Sequence, residues 1–209
     1  MAREGWGAMQ ADYSIELGEQ DECLEVPWAH PDGALRYLDL KRRPELLLNV
    51  EEAHHNQELG EFLVAINSDS SILETAKCDT WLSNELGEEE EIYGAAWKFG
   101  SYVDLVFTIE EARYSLSRHQ ETAERVTTLL KYVPEISAAA EFILRRCYFH
   151  PGQDLEADSR PGFCFTFYLF GYGDDEDEAR RRWGIALKVV QNALLQLSAE
   201  QRRASGMAR

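Results

Sequence analysis

From Asp12 onward apolar and polar residues alternate: Tyr13, Ile15 and Leu17 are separated by Ser14 and Glu16. A period of two is the mark of a half-buried strand. Gly18-Glu19-Gln20-Asp21 reads as a turn, and Cys23 to Trp28 as a second strand closed by Pro27. The two segments are expected to form a hairpin. His30-Pro31-Asp32-Gly33 is a further turn signal, and Leu35 to Leu40 a short extended stretch. The period then changes. Pro44 suits the first turn of a helix, where its missing N–H costs nothing. Leu46, Leu47, Val50 and Ala53 supply one apolar face, and Leu59, Phe62, Leu63 and Ile66 place a second helix over Gln57–Ile66.

The rest of the chain repeats an order of elements. Strand patterns cover Ile72 to Trp81 and Trp97 to Phe107, and a long helix runs from Glu110 to Val133, closed by Pro134. Strand patterns return over Ala138 to Phe149 and Phe163 to Tyr172, followed by a helix from Asp174 to about Glu200. Both helices open with acids followed by Ala-Arg, Glu110-Glu111-Ala112-Arg113 and Asp177-Glu178-Ala179-Arg180. Cys78 and Cys147 each fall near the end of a first strand, so a duplicated ββα unit would give them equivalent positions. The fold class expected is α+β: a mostly antiparallel sheet with two long helices on one face, a candidate duplicated ββα unit, and an N-terminal hairpin and short helices added. The boundaries that follow are a loose start over 1–10, one domain over 11–200, and a loose tail over 201–209. Within that domain, 11–70 hold the hairpin and short helices, 71–134 the first unit and 135–200 the second.

Size and charge narrow the partners. A chain of 209 residues with 44% hydrophobic content buries a core without disulfides or metal. Its 38 acids against 21 bases leave a net charge of −17. That opposes nucleic acid, whose phosphates need a basic face, and anionic membrane surfaces. No run reaches the length of a membrane span. Met1 to Met9 lacks the basic and apolar regions of a secretory signal. A cytoplasmic location is therefore expected, with the four dispersed cysteines as reduced, buried thiols.

Candidate chemistry is sparse. Glu51-Glu52-Ala53-His54-His55 carries two Glu-x-x-His spacings, which di-iron bundles use, but only one region has them and the rest does not read as a bundle. Cys78, Cys147 and His150 form a weak zinc alternative, since they lack the short spacings of structural zinc sites. The acid runs Glu88–Glu91 and Asp174–Glu178 lack the alternate ligands of a calcium loop, and the second run stands where a helix dipole favours carboxylates. Phosphate-loop and nucleophile-elbow motifs are absent from the sequence. No cofactor is expected.

The sheet face away from the helices holds the remaining candidates. Strand alternation puts Tyr102, Asp104, Arg145, Thr166 and Tyr168 on it, a half-apolar, half-polar set of the kind found where surfaces meet. Either the face is open as an interface, or the N-terminal segment covers it. The leading expectation is a non-catalytic interaction domain that self-associates as a homodimer. The alternative is a small-molecule or metal-binding protein, an enzyme included, with its site between the two hairpins.

Overall fold

The computed structural model describes residues 9–19, 21–30, 36–131, 136–150 and 159–204. Six strands form one mixed sheet: β1 (Gln10–Glu16), β2 (Cys23–Val26), β3 (Leu73–Ser83), β4 (Trp97–Phe107), β5 (Ala138–Phe149) and β6 (Arg160–Gly173). Their order is β1-β5-β6-β4-β3, with β2 also on β5. The four long strands pair antiparallel. The helices are α1 (Glu51–His55), α2 (Gln57–Ile66), α3 (Glu110–Arg113), α4 (Leu116–Leu130) and α5 (Glu176–Ala204). The α+β class and the antiparallel body of the sheet are as the periodicity predicts, and none of the described helices is long and apolar enough to cross a membrane.

Alternation along the central strands builds the core. Phe99, Val103, Leu105 and Phe107 of β4, Phe165, Phe167 and Leu169 of β6, and Phe142 and Leu144 of β5 all face α2, α4 and α5. Ser101 stands among them because Trp183 of α5 needs an acceptor: the fully buried indole donates its N–H to Ser101 Oγ at 2.8 Å. The Phe170-Gly171-Tyr172-Gly173 run is explained by the same contact. A Cβ on Gly171 would overlap the backbone of α5 at Trp183 and Ala179, so the glycine lets helix and strand touch. The acids ahead of α5 cap its start: Asp175 accepts from the Glu178 N–H at 2.8 Å, and Glu178 accepts from the Asp174 N–H at 2.8 Å.

Three local expectations are corrected. The N-terminal segments are not a hairpin. β1 and β2 run one after the other along the same edge of β5, both parallel to it. Alternation reports a half-buried strand but not its partner, and the long free edge of β5 offered more pairing than a short hairpin would. Arg145 of β5 sits at the junction and holds both segments, meeting Glu16 at 3.1 Å and Glu22 at 2.9 Å. The predicted helix 110–133 is broken after one turn. Ser115 restarts it as α4 by accepting from the Arg118 N–H at 3.3 Å, the usual work of an N-cap serine. Lastly, Cys78 and Cys147 are not equivalent. Cys78 lies opposite Val103 on the helix side, whereas Cys147 belongs to a small cluster on the other side with Val26, Val106 and Cys164. A bulge between Thr75 and Lys77 shifts the alternation of β3, which no count along the chain reveals.

At the ends, Met9 is buried and β1 begins at Gln10, while α5 continues to Ala204. The rest of the expected loose termini, 1–8 and 205–209, lies outside the described residues.

Candidate functional site

The five residues assigned to the second face come together there. Register places Tyr168 opposite Tyr102, and Thr166 opposite Asp104, across the β4–β6 seam. Arg145 stands beside them on β5, opposite Cys164. The Thr166 hydroxyl donates to Asp104 Oδ1 at 2.6 Å. Arg145 reaches Thr166 Oγ1 at 3.4 Å and lies 6.0 Å from the centre of the Tyr168 ring. A polar chain thus runs Asp104–Thr166–Arg145 and ends on Glu16 and Glu22.

Asp104 is 6% exposed. Burial raises its carboxyl from the ordinary 3.8 to about 6, against the Thr166 hydrogen bond and the nearby Lys77 and Arg145 charges, which pull the other way. Burial likewise pushes the Tyr102 phenol upward. These shifts come from desolvation, and Asp104, Thr166 and Arg145 satisfy one another's polar groups as a network within the surface.

Around it lies an aromatic platform that alternation alone only half disclosed. Trp81, Tyr102, Tyr168 and Phe170 form a closed ring of neighbours, with centroids 6.5, 5.9, 6.4 and 5.9 Å apart in turn. All four are partly exposed. At their centre is Gly100, where a Cβ would come 2.6 Å from the Trp81 indole, so the glycine is the floor on which the tryptophan lies. Trp81 and Lys77 escaped the sequence reading because the β3 bulge hides their face. A tryptophan opposite a glycine in the neighbouring strand was the available signal.

The two ends of this face are walled. On one side Leu24, Val26 and Tyr37 pack on Ala76, Val106, Cys147 and Phe149, and Trp28 donates its indole N–H to the Ala76 carbonyl at 2.7 Å. On the other, the 3-10 turn Glu88–Tyr93 folds back: Tyr93 stacks on Tyr172 at 3.9 Å, and Glu90 accepts from Lys98 at 2.7 Å and from the Tyr172 hydroxyl at 2.9 Å. The N-terminal segment therefore covers one end only. Between the walls, among the described residues, the aromatic ring stays open. A hollow of about 770 Å³ adjoins it at the β3 edge, lined in part by Trp28, Lys77, Asp79 and Tyr102.

The metal alternative is not assembled. Cys78 and Cys147 are on opposite faces of the sheet, with β4 and β6 between their strands. Burial pushes the Cys78 thiol up to about 12, the opposite of what a ligand or nucleophile needs. Cys147 neighbours Cys164 instead, and that contact, with burial, raises the Cys164 thiol. The buried His150 ring has Glu25 at 3.7 Å as its nearest carboxylate. The His54 ring nitrogen bonds the Leu48 carbonyl at 2.8 Å, and no metal-holding group of three or more His, Cys, Asp or Glu side chains occurs among the described residues.

Comparisons with protein-family models, curated proteins and solved structures find no match to this chain.

Proposed function

We propose that this protein is a non-catalytic interaction domain that docks a segment of a partner protein on the open sheet face. The observation carrying this reading is the ring of four half-exposed aromatic side chains held on a rigid sheet between two built walls. Aromatic residues supply large contact area at low conformational cost, and they dominate the anchors of protein interfaces. The polar network beside them locks its own rotamers, as a preformed recognition surface requires. The antiparallel β4–β6 seam, where two hairpin–helix units meet, sets two tyrosines at the centre of the face.

A displayed library of short peptides tests the reading. Panned on the wild-type protein and on a Tyr102→Glu/Tyr168→Glu variant of verified fold, the library should enrich peptides that bind only the former. Their footprint in backbone amide spectra should centre on Tyr102, Tyr168 and Phe170. Enrichment that survives the substitutions, or a footprint confined to α2 and α5, refutes it. Self-association through the same face is the competing occupant. Light scattering at micromolar concentration reads it directly: a dimer abolished by the two substitutions would make a second copy the partner.

A further inference from the structure

The charges on the open face specify what kind of segment fits. Four directly opposed residues cross the sheet in one row: Glu141 faces Tyr168, Tyr168 faces Tyr102, and Tyr102 faces Asp79. Two tyrosines are thus bracketed by two carboxylates. Glu141 and Asp79 are both exposed. Their nearest partners are neutral: Ser14 donates to Glu141 at 3.4 Å, and the Thr80 N–H donates to Asp79 at 2.7 Å. Among the described residues neither meets a basic side chain within ion-pair distance.

The bases of the face are already engaged. Lys98 is held by Glu90, and Arg145 by Glu16 and Glu22. Lys77 hangs between two rings, 5.4 Å from the centre of Trp28 and 5.7 Å from that of Tyr102. The platform therefore already attracts cations, as ring faces do at such distances, and the chain uses its own to satisfy its edges. What remains unsatisfied is negative, and it lies on a molecule of net charge −17, which steers positive partners toward it.

Resting on the interaction reading above, we propose that the docked segment is basic and extended, and lays two lysine or arginine side chains on Glu141 and Asp79 with its backbone across the tyrosines. The spacing follows from the sheet. Neighbouring strands are about 4.8 Å apart, so three intervals span about 14 Å, and an extended chain covers that in about four residues at roughly 3.3 Å each. Residues i and i+4 of an extended segment also point to the same side. The recognised pattern is therefore a pair of bases four apart.

A ten-residue peptide of serine, threonine and glycine with lysines at positions 3 and 7 is the probe, titrated by calorimetry and followed in amide spectra. Binding should map to the Tyr168–Tyr102 row. It should fall at least tenfold when both lysines become glutamine or are placed side by side. The Asp79→Asn/Glu141→Gln protein should lose a similar factor. The Glu121→Gln/Asp177→Asn protein, altered equally in net charge but on α4 and α5, should change less than twofold. Tyr102→Leu/Tyr168→Leu keeps apolar side chains on the face but removes the ring electrons, and should weaken binding several-fold. Equal losses in the two charge-altered proteins, or indifference to lysine spacing, overturns the proposal by reducing it to general attraction. Library peptides that occupy the face without basic residues also overturn it, while leaving the interaction reading intact. An empty library result fails that reading itself.

Discussion

Asp104 is the place where the physics of the face is most directly measurable. Its carboxyl is 6% exposed and holds the Thr166 hydroxyl at 2.6 Å. Burial raises it from 3.8 to about 6. A carboxyl that binds its proton more tightly in the folded state stabilises the fold below the unfolded value, and that contribution is lost as pH rises through the folded value. At about 1.4 kcal/mol per pH unit, ionisation of Asp104 costs the folded protein about 3 kcal/mol near pH 8 compared with pH below 3.8. Asp104→Asn removes the charge and keeps an oxygen to accept from Thr166. The variant should therefore gain on the wild type as pH rises. The difference between the two unfolding free energies should change by about 2 kcal/mol between pH 4.5 and 8, most of it between pH 4.5 and 6. Urea unfolding followed by tryptophan fluorescence and by circular dichroism measures it, provided the two probes coincide. A flat difference would mean that Lys77 and Arg145 fully offset the burial. A change of the opposite sign would mean that the carboxylate is the stabilised form, and would sink the reasoning.

Other outcomes follow from single contacts. Gly171→Ala forces a methyl into the backbone of α5, and should cost at least about 2 kcal/mol in thermal or urea unfolding, against little for Gly87→Ala, where the methyl meets only ordinary side-chain contacts. Ser115→Ala removes the acceptor that restarts α4 and should cost about 1 kcal/mol by the same assay; Glu121→Ala, exposed on the same helix, is the comparison. Among the thiols, exposed Cys23 should react at once with an aromatic disulfide reagent at pH 8, the partly buried Cys78 more slowly, and the buried Cys147 and Cys164 only at the rate of opening or unfolding. A fast-reacting Cys147 or Cys164 would show that the face opposite the helices opens more readily than its packing implies.

Much of this architecture is legible in the residues one after another. Alternation along Trp97–Phe107 and Ala138–Phe149 has a fixed period, so it names the strands, their ends and the side chains on each face. The three-four spacing over Gln57–Ile66 does the same for α2. That is why parity alone sets Tyr102, Asp104, Arg145, Thr166 and Tyr168 on one face. Both strands of the seam keep unbroken parity. Legibility stops where a property depends on partners far apart in the chain. The Tyr13 and Leu24 segments are strands on their own evidence, yet only the free edge of β5 makes them parallel neighbours of it rather than a hairpin. One extra residue at Ala76 inverts the faces of β3, sending Cys78 under the helices and Trp81 onto the platform, and no local preference marks it. The walls depend likewise on distant contacts, Trp28 reaching Ala76 and Tyr93 reaching Tyr172. Periodicity determined what each strand could show to either side. Tertiary pairing decided which of those sides stayed open, because burial is a property of the partner as much as of the residue.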